Sequence, residues 1–162
     1  MRRSIRLVVS VAVIVGVILT SGPRGRLSGQ AGAQKGEWRT YGGDLANTRY
    51  SALDQITRDN FGTLEVAWRF TTDALGPRPE FNYESTPLMV GSVLYTTAGS
   101  RRAVVALDAA TGELLWMHSE NEGPRGDAAP RRLSGRGLAY WTDGRDARIV
   151  YVTPGYRMMA LD

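Results

Sequence analysis

At 162 residues, with 20 basic and 16 acidic side chains, one histidine and no cysteine, the chain excludes a disulfide framework, thiol chemistry and an anchor lipidated on an N-terminal cysteine. Its net charge of +4 does not mark a nucleic-acid binder, because the excess is confined to one end. Five arginines precede position 33 and every acidic residue follows it, leaving 15 basic against 16 acidic groups beyond that point, a net of −1.

The first element in chain order is a leader. Arg2, Arg3 and Arg6 precede an apolar run from Leu7 to Leu19, broken only by Ser10 and Gly16. That length suits a secretory h-region and falls short of the roughly 20 apolar residues of a bilayer span. Ala31-Gly-Ala33 offers a small-x-small cleavage site, so residues 1–33 read as a signal peptide, with an uncleaved N-terminal membrane anchor as the competing reading. Either places the remainder in the periplasm, free or held at the inner membrane. Ser21 to Gly36 is rich in Gly, Ser and Ala and reads as a linker, with the fold starting near Glu37.

Seven strand-like runs follow: Leu64–Thr71, Ser92–Ala98, Ala103–Leu107, Leu114–His118, Gly137–Thr142, Ile149–Thr153 and Arg157–Leu161. Leu53–Phe61 has room for one short helical turn, and no segment shows a convincing amphipathic helix. Thr86 and Pro87 read as structural, since a proline fits a strand entrance where no N–H is needed. His118 has no second histidine with which to build a metal site, and reads as a surface or edge residue.

One stretch organises the rest. Ala106-Leu-Asp-Ala-Ala-Thr-Gly-Glu-Leu-Leu-Trp116 holds the end of a strand, a tight turn and a second strand ending in Trp. Asp108 and Thr111 are placed to hydrogen-bond backbone across the turn, and Gly112 supplies the positive φ such a turn requires. Trp116 must be buried, and a lone hairpin cannot bury it. Ala160-Leu161-Asp162 begins the motif again 54 residues on, and Leu64-Glu-Val-Ala-Trp68 resembles the tail of an earlier copy, its Trp 48 positions before Trp116. A period near 50 with several short strands per unit predicts an all-β fold, a β-propeller built of Trp-motif blades. Such rings close with four to eight blades. The chain is therefore expected to be part of a longer propeller, about two blades with loose edges, or a truncated gene product.

Further motifs sharpen this. Trp38-Arg-Thr-Tyr-Gly-Gly-Asp-Leu-Ala-Asn-Thr-Arg-Tyr-Ser51, Leu53-Asp-Gln-Ile56, Leu64-Glu-Val-Ala-Trp68, Glu84-Ser-Thr-Pro-Leu88, Val93-Leu-Tyr95, the Trp motif and Arg136-Gly-Leu-Ala-Tyr-Trp141 occur in that order. From Glu37 onward the chain resembles the quinoprotein dehydrogenases, exported propeller enzymes, of eight blades, that use pyrroloquinoline quinone (PQQ). The resemblance implies that Glu84 and Arg136 are cofactor-binding residues. PQQ carries three carboxylates and an ortho-quinone, which a planar guanidinium grips with paired hydrogen bonds. Glu84 beside an anion needs Arg136 or a shared proton to be tolerated. The resemblance further implies oxidation of an alcohol or sugar hydroxyl, a Ca²⁺ ion as Lewis acid, and a membrane quinone or cytochrome c as electron acceptor. It puts the calcium ligands, the catalytic Asp and the aromatic floor under PQQ in segments beyond residue 162, so these residues are expected to bind and orient, with no catalytic or metal-binding residue among them.

One departure is visible. Many alcohol-oxidising members have adjacent cysteines six and five residues before the Arg, where this chain has Pro130 and Arg131. The cover over the cofactor must differ, which weighs against the methanol and ethanol subgroups. The alternative function is a non-enzymatic exported propeller scaffold for envelope protein assembly; such proteins are held by a lipidated cysteine, which this chain lacks.

Overall fold

A computed structural model describes residues 32–162, apart from Ser134 and Arg136. Two antiparallel sheets carry the fold. The first is the meander β1 (Leu88–Val90), β2 (Val93–Ala98), β3 (Ala103–Asp108) and β4 (Leu114–His118), in spatial order β1-β2-β3-β4. The second is β5 (Ala139–Thr142), β6 (Ala147–Val152) and β7 (Met158–Leu161), in order β5-β6-β7. A single helical turn, α1 (Pro124–Asp127), interrupts the connection from β4 to β5, and a 3-10 turn spans Phe61–Thr63.

β3 explains why the sheets stack. Its run Ala-Val-Val-Ala-Leu is apolar without alternation, as befits a strand covered on both faces. Successive side chains point to opposite faces. Val104 therefore meets Ile149 and Tyr151 of β6, with Tyr95, Trp116, Tyr140, Met159 and Leu161 around them. Val105 and Leu107 meet Ala98 on the other face, under Trp68, Phe70, Leu75 and Leu94. Each fully buried Val or Leu contributes about 1.5–3 kcal/mol, so the two faces of one strand anchor both layers.

The Trp motif behaves as its residue types require. Asp108 Oδ1 accepts from the amides of Ala110 (2.9 Å) and Thr111 (2.8 Å) and from the Thr111 hydroxyl (3.0 Å). Gly112 takes φ +74°. A side chain there would also meet Trp68, whose ring lies 2.5 Å from the position a Cβ would occupy. Trp68 Nε1 donates to the Ala109 carbonyl at 3.1 Å. The Trp of the earlier copy thus docks on the turn of the next, whereas Trp116, only half-buried, packs against the core shared with the second sheet, 5.9 Å from the Tyr95 ring.

Six of the seven expected runs become strands, Leu114–His118 at its expected bounds and the others with an end shifted by no more than two residues. Residues 64–71 form no ladder among the described residues: the side-chain pattern is that of a strand, but no neighbouring backbone lies alongside to pair with it. β1 and α1, at three and four residues, are too short for periodicity to reveal. Pro87 does sit at a strand entrance, immediately before β1. The opening motif is a knot around Asp44, which accepts from the amides of Gly32 (2.8 Å) and Thr48 (2.9 Å) and the Thr48 hydroxyl (2.9 Å). Ala33 is buried and bridges to Ser51, and Trp38 bridges to Met89 of β1. Nearly all of the leader, residues 1–31, lies outside the described residues.

A candidate cofactor site at the loop end of the sheets

Antiparallel order assigns every connection to one of two ends. The segments entering β1 and β5, the β2–β3 turn and the β6–β7 turn gather at one end, while the β3–β4 turn with Asp108 lies at the other. At the first end is a cavity of about 1090 Å³, bordered by Arg78, Phe81, Asn82 and Glu84 before β1, by Arg102, by residues 129–133 before β5, and by Tyr156 and Met158.

Glu84 sits at this cavity, its Oε1 accepting from Asn82 Nδ2 at 3.0 Å. The segment around it is fastened to β2, since the hydroxyls of Tyr83 and Ser85 both bond Thr96 Oγ1. Glu80 Oε2 accepts the Gly99 amide at 2.9 Å, tying the same segment to the β2–β3 turn. Arg136 itself lies outside the described residues. Its neighbour Gly137, at φ +107°, lies so close to Thr86 that a Cβ there would be 3.3 Å from the Thr86 carbonyl oxygen. The two sequence elements that the motifs singled out, 84–88 and 136–141, therefore meet at one place.

Sequence reasoning missed two residues that shape this end. Arg102, at φ +53°, donates from Nε to the Leu133 carbonyl (3.0 Å), from Nη1 to Val152 (2.9 Å) and from Nη2 to Arg131 (3.0 Å). With all three nitrogens engaged by main chain, it holds the loop before β5 rather than a ligand. Burial pushes its pKa down from the usual value, partly opposed by Tyr156, Glu122 and Tyr151; a guanidinium stays charged nonetheless. This loop contains Pro130 and Arg131, so a fan of hydrogen bonds secures the segment that lacks the paired cysteines. The only sequence signal for it is an Arg pair in a short inter-strand turn.

The second residue is Glu122, whose side chain is 3% exposed. Its carboxylate accepts from the Thr153 hydroxyl (2.7 Å) and the Gly155 amide (2.6 Å), with Arg157 Nε 3.4 Å away. Burial by itself raises its pKa, but the bonds from Thr153 and Gly155 and the charges of Arg157 and Arg125 outweigh it, and the net direction is down. Nearby, burial pushes the Tyr151 phenol up to about 12. His118 stands 3.2 Å from Glu120 and edge-on to Tyr151, away from the cavity wall. Among the described residues no group of three or more His, Cys, Asp or Glu is placed to hold a metal ion.

Comparison with known proteins bears on this geometry. Residues 38–162 match the family described as PQQ glucose/ethanol/alcohol dehydrogenase, beta-propeller domain. The chain belongs to this family. It is 36% identical over 136 residues to the dehydrogenase subunit of a quinone alcohol dehydrogenase of Gluconobacter oxydans (strain 621H), covering 83% of this chain and 17% of that one. It is 41% identical over 99 residues to the 1-butanol dehydrogenase (cytochrome c) of Thauera butanivorans, covering 61% and 13%. Among solved structures, the quinohemoprotein alcohol dehydrogenase of Comamonas testosteroni superposes with a TM-score of 0.63 at 29% identity, over 85% of this chain and 20% of that one. The sheets described above are thus blades of a PQQ-type β-propeller, and the chain spans less than a fifth of the length of these curated relatives.

Proposed function

We propose that the protein to which this chain belongs is an exported quinoprotein dehydrogenase that oxidises an alcohol or sugar hydroxyl with PQQ and passes the electrons to a membrane quinone or cytochrome. The observation that carries this reading is the cavity at the loop end, where Glu84 shares a wall with Arg78, Arg131 and Arg132. The donor chemistry of the cavity suits PQQ, and its volume of about 1090 Å³ is large enough to hold it. Ligand pockets run to about 300–1,000 Å³, and guanidinium groups suit a planar tricarboxylate. In this reading Arg136 and the bordering arginines grip the carboxylates, and Glu84 keeps its place beside the anion by sharing their charge. When bound, PQQ supplies a two-electron acceptor for hydride from the carbon bearing the substrate hydroxyl. Arg102 holds the loop before β5 over the site, and the packed sheet β1–β4 keeps the segment of Glu84 from moving. Ca²⁺ is the proposed Lewis acid, with ligands outside the described residues.

Export through the leader of residues 1–33 is part of the same proposal. So is a membrane association through that leader, if it is not cleaved. The testing experiment adds PQQ and Ca²⁺ to the purified complete protein and follows cofactor binding by absorbance and turnover on an alcohol and sugar panel. Expected are saturable PQQ binding, PQQ-dependent oxidation, and binding weakened about tenfold or more by Arg136→Ala, the loss of roughly one charge-assisted contact. Wild-type protein that takes up no PQQ would end the proposal. Residues 34–162 by themselves are expected to give no turnover, and dehydrogenase activity from that piece alone would contradict the division of labour proposed here.

A further inference from the structure

We propose that Tyr156 is a specificity-determining residue of this site, an aromatic wall against which the carbon skeleton of the substrate packs. The proposal rests on the reading above. Tyr156 has φ +65°, a left-handed conformation that bulky side chains rarely adopt and that is uncommon outside Gly, Asn and Asp. It is the one aromatic residue among the described residues to do so. A glycine stands immediately before it, yet Gly155 does not take the left-handed position.

The reason lies in Glu122. A Cβ on Gly155 would lie 2.8 Å from Glu122 Oε1, so the glycine is needed for close approach of the carboxylate, and its conformational freedom goes unused. The rest of the turn is pinned just as firmly. Glu122 takes the Gly155 amide and the Thr153 hydroxyl, Arg125 Nε donates to the Gly155 carbonyl at 2.6 Å, and the Tyr156 amide donates to the Thr153 carbonyl at 3.0 Å. These bonds set the register of the turn, whose left-handed position falls to Tyr156. Glycine would fill that position without strain, and the chain has tyrosine there.

Among the described residues the tyrosine is not held by burial, since it is 68% exposed there. It borders the large cavity that Met158, Phe81 and Glu84 also line. An unstrained alternative forgone, at a cavity edge, by a residue the surroundings over-determine, is the pattern expected of a functional outlier. The chemistry this lining offers is an apolar ring face, a thioether and a second ring. That suits the C–H face of the oxidised molecule, whether an alkyl chain or the hydrogen-bearing face of a sugar ring.

The test compares the complete enzyme, loaded with PQQ and Ca²⁺, with its Tyr156→Gly and Tyr156→Phe variants, on a series of straight-chain primary alcohols and on aldoses. Glycine is expected to raise the thermal midpoint of the cofactor-free protein, because strain is relieved, while KM rises about tenfold for the substrates that use the wall, with kcat changed less. Phenylalanine keeps the ring and restores KM. A KM penalty growing with alkanol length identifies a chain-binding wall, and one confined to aldoses identifies a sugar-binding wall. A KM within twofold of wild type on every substrate overturns the proposal, and so does a lowered thermal midpoint in the glycine variant. Failure of the wild type to show any PQQ-dependent turnover counts instead against the dehydrogenase reading, and the midpoint comparison still reports on the strain.

Discussion

Two carboxylates each hold a turn, at opposite ends of neighbouring sheets, and they do it by different means. Asp108, on the β3–β4 turn, bonds residues two and three positions ahead and stays half-buried. Glu122, on the β4–β5 connection, is buried and bonds residues 31 and 33 positions ahead. The first is a short-range device repeated with the blade. The second joins two elements that only meet once the sheets have stacked. A blade turn therefore needs little from its surroundings, while the turn that faces the cavity is held by contacts borrowed from a distant segment.

That contrast can be broken in order of effect. Glu122→Ala should be the most damaging change, costing about 2–3 kcal/mol, because it leaves the Gly155 amide, the buried Thr153 hydroxyl and Arg157 without their shared acceptor. Thermal melts of the complete protein would show it, and an undiminished midpoint would mean that the clamp does not bind the turn. Gly112→Ala should follow at about 2 kcal/mol, since both the left-handed backbone and the Trp68 ring oppose a methyl group there; indole fluorescence of Trp68 should shift along with it.

The smallest effect is on the acid side. The Thr111 amide and hydroxyl hold Asp108 below the ordinary carboxylate range, and Glu122 is also lowered once its hydrogen bonds have outweighed burial. A depressed carboxylate pKa contributes stability that is complete above the unfolded value, about 3.9 for Asp and 4.3 for Glu, and is lost as pH falls through the folded value. Asp108→Asn should accordingly lower the midpoint modestly at pH 7, where that contribution is complete, and flatten its fall below about pH 4, so that variant and wild type converge in acid. Acid melts of equal steepness in variant and wild type would show that Asp108 does not contribute there.

How much of this was legible beforehand follows from range. Asp108, Thr111, Gly112 and Trp116 lie within nine residues, so their chemistry is written in local spacing, and the strands around them follow from apolar runs bounded by turn residues. The element of Glu84 was legible only as part of an ordered set of motifs. Residues 64–71 read as a strand because side-chain alternation is local, whereas a strand also needs a neighbour to pair with. Glu122, Arg102 and Tyr156 carried no such mark. A glutamate before a glycine, an arginine in a turn and a tyrosine after Pro-Gly are all unremarkable until the partners arrive.

By itself, then, the sequence determined the all-β repeat, the blade turn and the family, since each depends on residues close enough in the chain to be read together. Only the tertiary structure decided that Arg102 fastens the loop before β5, that Glu122 fixes the β6–β7 turn, and that Tyr156 stands strained at the cavity edge. Hydrogen bonds spanning 29 to 50 residues have no periodicity to betray them, and their partners are set by how two sheets stack.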